Sequence, residues 1–325
     1  MNEIFAKAIR FGFAAAMLTA PSLGVAAAQT VSGEQCSLAI VSKFADKSQK
    51  VCDTKIVREL AEQGHAFEQN QLGIASMLSI GPEYTDKEAL KWFEKAAWKD
   101  YAPAQVNLAV MYANGWGTPA NYGAALNWFH VAAAQKFPRA YTNLGILYLK
   151  GQGVHQDYNE AFRWFEMGAN AGDSDGQTNL AYMYANGFGC AKNEGSAAAW
   201  YRKAADAENP LAENSLADMY LRGDGVQQNA AEAFRLFQKA AEQGHTGARI
   251  MLGSMFAEGL GTKKDPEAAY LWITAATMGG DQRGRDRLQV LEARLTPAQI
   301  SAARDRAGQL QFNTGQQLTV RAMAK

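Results

Sequence analysis

Lys136–Ala171, KFPRAYTNLGILYLKGQGVHQDYNEAFRWFEMGANA, decides the fold, because its pattern returns every 36 residues. Leucine stands at 72, 108, 144, 180, 216, 252 and 288, and alanine at 89, 125, 161, 197, 233 and 269, in one register without an insertion. Trp92, Trp128, Trp164, Trp200 and Trp272 keep the same step, with Leu236 taking the place of tryptophan in one copy. A fixed period of this length marks a repeat architecture, in which a unit cannot bury its apolar face alone and stacks on its neighbours.

The punctuation inside each unit places two helices. Ala104, Leu108 and Tyr112 are four residues apart and share one stripe, which predicts a first helix over about Ala102–Asn114. Gly115 ends it; glycine or serine holds that position in every copy (Ser79, Gly115, Gly151, Gly187, Gly223, Gly259), as expected where the chain leaves a helix in the left-handed conformation. A second glycine, two residues on, continues the turn. Thr85, Asn121, Asp157, Asn193, Asn229 and Asp265 follow in register, and all can accept from the free N–H groups of a helix start. The second helix then carries Ala125, Trp128, Phe129, Ala132 and Ala133 on one stripe, small residues for close approach and a tryptophan to fill the groove.

The flanks read as caps. KIVRELAEQG at 55–64 matches RLFQKAAEQG at 235–244, so it forms half a repeat over the first unit. Thr296-Pro297-Ala298-Gln299 is a capping-box start for a closing helix to about Leu310, and the residues after Gln311 read as frayed. At the other end Lys7 and Arg10 precede an apolar run that closes on Ala26-Ala27-Ala28, the pattern of an export signal cleaved before Gln29. Export places Cys36 and Cys52 in an oxidising compartment, where they are expected to form a disulfide closing a loop of about 15 residues, worth roughly 3 kcal/mol. Cys190 is left over, free or available to another chain.

One spacing ties these signals together: Ala140, Leu144, Gly145, Tyr148, Gly151, Gly153, Val154, Asp157, Ala161, Trp164 and Ala169. It resembles the Sel1-like repeat, whose members are similar to tetratricopeptide arrays. The resemblance implies an all-α fold, an α/α solenoid wound as a right-handed superhelix. The expected organisation is a signal peptide at 1–28, a helical cap at 29–63, six repeats at 64–279, a second cap at 280–312 and a flexible tail at 313–325. Ser76, Ser79 and Phe256 depart from the pattern in the first and last units, as terminal repeats do.

Composition narrows the function. Lys and Arg balance Asp and Glu at 32 each, so nothing points to nucleic acid; the end from Asp281 onward is mildly basic. Three cysteines and four histidines without ligand spacing point to no metal site and no cofactor. Gly172-Asp173-Ser174-Asp175-Gly176 matches G-x-S-x-G, but the nucleophile elbow needs a strand before the serine, and here a helix precedes it. Neither S-x-x-K nor H-E-x-x-H occurs, and no enzyme is expected.

Function is therefore expected on the solenoid surface, where the first helices line the concave side. Opposite the core stripe, one row reads Ile74, Val110, Ile146, Tyr182, Asp218, Ser254 and the next Leu78, Asn114, Lys150, Asn186, Arg222, Glu258. Val110, Asn114, Ile146, Leu149, Lys150, Tyr182, Asn186, Asp218 and Arg222 are the candidate contacts for an amphipathic peptide or partner helix, although aliphatic residues there also serve packing between units. The expected protein is a monomeric, noncatalytic scaffold, periplasmic or secreted. The resemblance implies a membrane signalling protein or a host protein as partner; its alternatives are a cell-envelope hydrolase of the β-lactam-binding type, for which the cysteine pair per repeat is missing, and a glycan-recognising envelope adaptor.

Overall fold

A computed structural model describes residues 54–77 and 85–324, with side chains described from Val57 to Leu310. The expected signal peptide, the Cys36–Cys52 disulfide and the first-unit positions 78–84 lie outside these residues. The fold is an all-α solenoid of helix pairs. In chain order the helices are α1 (Thr54–Glu62), α2 (Ala66–Met77), α3 (Asp86–Ala97), α4 (Ala102–Asn114), α5 (Tyr122–Ala134), α6 (Pro138–Lys150), α7 (Tyr158–Asn170), α8 (Ser174–Asn186), α9 (Glu194–Asp206), α10 (Pro210–Arg222), α11 (Ala230–Glu242), α12 (Thr246–Glu258), α13 (Pro266–Met278), α14 (Arg285–Glu292) and α15 (Pro297–Ala324). Among the described residues they form two compact units, one up to Gly176 that also takes the chain end from Leu318, and one of Gln177–Gln317.

Local chemistry sets the helix bounds. Gly115, Gly151, Gly223 and Gly259 stop α4, α6, α10 and α12 with φ of 69°, 67°, 80° and 76°, each returning its N–H to the carbonyl four residues back. The next helix of each pair starts on a side-chain acceptor: Asn121 Oδ1 takes the Ala124 N–H at 3.0 Å, Asn193 that of Ser196 at 2.9 Å and Asp265 that of Ala268 at 2.9 Å. The second glycine of the turn does more than bend the chain. A Cβ on Gly117 would lie 2.5 Å from Asp86 O, one on Gly225 2.3 Å from Glu194 O, and one on Gly261 2.2 Å from Ala230 O. Each turn is therefore seated on the backbone at the start of the preceding second helix, with no room for a side chain.

The leucine ladder and the alanine row form the core of each unit, from Leu72 through Leu252 and from Ala89 through Ala269. Phe93, Phe129, Phe165 and Phe237, each one residue beyond the tryptophan row, are fully buried between paired helices. Gly73 and Gly145 face two of these rings, and a Cβ there would come within 2.5 Å and 2.6 Å of Phe93 and Phe165. The glycine after the repeat leucine thus gives the aromatic ring its space. Trp128, Trp164 and Trp200 are only partly buried, so phenylalanine rather than tryptophan fills the centre.

A buried polar row joins successive pairs, and the sequence reading did not anticipate it. Gln69 Nε2 donates to Ala61 O at 2.9 Å, Gln105 Nε2 to Ala97 O at 3.2 Å and Arg249 Nε to Ala241 O at 3.0 Å, each reaching eight residues back to the end of the previous second helix. These side chains add a second donor to helix-end carbonyls that also accept the Gly64, Asp100 and Gly244 N–H groups. Arg249 Nη1 also donates to Ala275 O at 3.3 Å, and burial pulls its guanidinium down to about 10.

Both ends are capped. Val57 and Ala61 of α1 pack with Leu72 and Trp92 as a half-repeat should. Thr296 and Gln299 form the reciprocal capping box, Gln299 N–H to Thr296 Oγ1 at 3.3 Å and Thr296 N–H to Gln299 Oε1 at 3.0 Å. The helix they open continues to Ala324, where the sequence reading ends it near Leu310. Gln, Leu, Arg and Ala beyond 310 are adequate helix formers, and no proline interrupts them.

Candidate interaction surface on the first helices

In the first compact unit the candidate surface lies on α4 and α6. Val110 is only 8% exposed and packs with Phe129, Tyr141 and Leu144, so it supports the face from beneath. Asn114, one turn on, is exposed, and its Nδ2 donates to Val110 O at 2.8 Å. Ile146 and Leu149 are half-buried and Lys150 is exposed at the end of α6. Beside them stand two amides that sequence reasoning missed. Asn107 Nδ2 donates to Asn70 Oδ1 at 3.0 Å and Asn143 Nδ2 to Arg139 O at 2.8 Å. The available signal was the row Gln71, Asn107, Asn143, Asn179, polar at four successive copies of one helix position. No charged residue occurs in α4, and α6 carries only Arg139 and Lys150, which leaves these two helices without an acid.

In the second unit the same positions are more polar. Tyr182 is 44% exposed and its ring leans on Phe188 at 5.9 Å; Asn186 Nδ2 donates to Tyr182 O at 2.9 Å, as Asn114 does to Val110 two copies earlier. Asp218 is half-buried; desolvation raises its carboxyl above the usual range, and Arg222 at 4.0 Å pulls it partly back. Arg222 also approaches Asp224 at 3.6 Å. Behind them the buried Tyr201 hydroxyl is pushed up to about 12 by burial, against a hydrogen bond with Ser215. Arg287, from the capping helix α14, donates to Ser254 Oγ on the same row. The nine candidates are thus placed at successive copies of adjacent helix positions: Val110 with Asn114, Ile146 with Leu149 and Lys150, Tyr182 with Asn186, and Asp218 with Arg222.

Ser174 is buried and is the first residue of α8, in register with Pro138 and Pro210 at the starts of α6 and α10. The preceding Asp173 accepts from Thr142 Oγ1 and, at 3.0 Å, from the Gly176 N–H. The arrangement is a helix start, not a strained strand-to-helix elbow. Cys190 is a free thiol whose Sγ lies 3.7 Å from Met183 O, and burial raises its pKa. Among the described residues no group of three or more His, Cys, Asp or Glu side chains could hold a metal, and no helix is long and apolar enough to cross a membrane.

Helix pairs in strict register, with repeated positions spent on packing and variable ones on the surface, define a repeat scaffold. The Sel1 repeat model matches residues 69–98, 102–137, 138–173, 174–209, 210–245 and 247–281, and the chain belongs to the Sel1 repeat family. A Sel1 repeat protein from Oxalobacter formigenes is 32% identical with a TM-score of 0.62, over 66% of this chain and 88% of that one. The protective antigen c5321 of uropathogenic Escherichia coli, with an SLR fold, is 26% identical over 89% of this chain and 70% of its own, at a TM-score of 0.44. The immunity protein Pa5087 of Pseudomonas aeruginosa shares the fold at 17% identity and a TM-score of 0.51, over 77% and 83% of the two chains. No curated protein matches the chain. Sel1 repeats are in general noncatalytic scaffolds for protein–protein interaction.

Proposed function

We propose that this chain is an exported, noncatalytic scaffold that binds a protein or peptide partner through the exposed faces of its first helices. One observation carries the reading: packing, turning and capping account for the repeated rows, whereas the rows of Val110 and Asn114 change chemistry from copy to copy. Variation at positions that reach the surface, such as Asn114, Lys150, Tyr182 and Arg222, is what a recognition surface needs. Export rests on the sequence of residues 1–28, which places the scaffold in the periplasm or outside the cell, facing a membrane signalling protein or a host protein.

Crosslinking in the native envelope, followed by mass spectrometry, tests it. The unaltered protein should crosslink to a defined partner protein, and Lys150→Glu with Arg222→Glu should reduce that product several-fold while leaving the circular dichroism melt in place. Undiminished crosslinking by the double variant would remove these rows from the contact surface. Turnover of a chromogenic β-lactam or ester that disappears in Ser174→Ala would make the protein an enzyme instead.

A further inference from the structure

The second helices of the first unit present a different surface. Tyr101–Gln135, which makes up α4 and α5 with their turns, contains no Asp, Glu, Lys or Arg in a chain that is 20% charged. On the outer side of α5 and its neighbours α3 and α7, Trp98 is 77% exposed, Val131 42% and Met167 45%. Ring contacts join them into one ridge across α3, α5 and α7. Trp98 meets Trp128 edge-on at 5.1 Å, one turn before Val131, and His130 meets Trp164 at 5.7 Å, one turn before Met167. The fold does not demand this. At the corresponding copies in the second unit, α9 and α11 expose Lys203, Asp206, Lys239 and Glu242.

We propose that this ridge is the interface of a two-fold dimer with a second copy of the chain, in place of the monomer expected from sequence. The charges beside the ridge select the occupant. Lys91 and Arg163 are engaged within their own helices by Glu88 and Glu160; Lys95 on α3, whose ammonium lies over the Trp92 ring at 4.1 Å, and Glu166 on α7 flank the uncharged α5. A two-fold axis lying along α5 preserves height along the helices and exchanges the two flanks. It sets Val131 against its own copy and brings Lys95 over Glu166 of the second copy, since Lys95 and Met167 occupy the same repeat position. An axis across the helices would instead stack Lys95 on Lys95 and Glu166 on Glu166, like charges whose repulsion disfavours that register. Three helices about 20 Å long at spacings of roughly 10 Å offer on the order of 500 Å² per copy, near the lower limit for a specific interface, so the dimer is a micromolar one.

Sedimentation velocity of the purified protein from about 1 to about 100 µM tests this. The expected result is a concentration-dependent monomer–dimer equilibrium that Val131→Arg abolishes without moving the thermal melt. Lys95→Glu and Glu166→Lys should each weaken the dimer about three- to tenfold, counting two exposed ion pairs, and the two together should restore it. A monomer throughout that range would overturn the proposal. So would a dimer unaffected by Val131→Arg, and charge reversals that fail to compensate would overturn the two-fold register. The first-helix face is untouched by these substitutions, so partner crosslinking reports separately.

Discussion

The two compact units run on the same 36-residue frame and spend it differently. In the first, α4 and α6 start at Tyr101 and Phe137, which make no side-chain cap and leave the start to Pro103 and Pro138. In the second, Asn209 caps α10 through the Leu211 and Ala212 N–H groups at 3.1 Å, and His245 caps α12 through Nδ1 and the Ala248 N–H at 3.0 Å. The outer rows diverge in the same way, apolar at Trp98, Val131 and Met167 but charged at Lys203, Asp206, Lys239 and Glu242. Because core, turns and second-helix caps are shared, these differences are not imposed by the fold. The frame is general, and individual character lies in the first-helix starts and the outward positions.

Perturbing one unit at a time sharpens the contrast. The largest effect is expected from Gly225→Ala, which places a side chain at φ 65° and within 2.3 Å of the Glu194 backbone. Left-handed strain and overpacking together should cost about 3–5 kcal/mol. Hydrogen exchange should show α9 to α12 deprotected while α4 to α6 keep their protection; equal loss in both would mean that they unfold as one. Arg249→Leu comes next. It withdraws the donors to Ala241 O and Ala275 O at about 1–3 kcal/mol, read from a denaturant melt.

The smallest effect is a pH dependence that arises at the His245 cap in the second unit. His245 Nδ1 must stay unprotonated to accept from Ala248, and burial, with Arg283 nearby, lowers its pKa below the ordinary 6.5. Above pH 6.5 both folded and unfolded states hold the imidazole neutral and the cap contributes fully. As the pH falls the unfolded chain takes up the proton first, so stability drops until the folded pKa is passed. His245→Asn keeps a cap acceptor and should flatten that slope, by about 1 kcal/mol at most. A slope unchanged in the variant would assign it to another group.

Helix bounds were legible because local rules set them: α4 spans Ala102–Asn114 as read, since a left-handed glycine and a side-chain acceptor act within a few residues. The buried polar row was not legible. Gln105 and Arg249 look like surface residues until the end of the preceding helix, eight positions back, is brought against them. Whether Val110 packs or faces outward is left open by the sequence for a related reason. Rotation by 100° per residue points it away from its own stripe, but Phe129 and Tyr141 close over it from the following helices. Asn107 and Asn143 stand in one row of the sequence, but an amide on a helix reads equally well as a solvent contact.

The second glycine of each turn carries a consequence for the ancestry of the chain. Gly225 rests on the backbone 31 residues before it, and Gly117 and Gly261 repeat that step against Asp86 and Ala230. Each copy brings both its own glycine and its own seat, so whole 36-residue copies can be gained or lost without disturbing the rest, whereas a change of length between a seat such as Glu194 and its glycine would break that contact. The uninterrupted register from Leu72 to Leu288 is what growth by whole copies would leave.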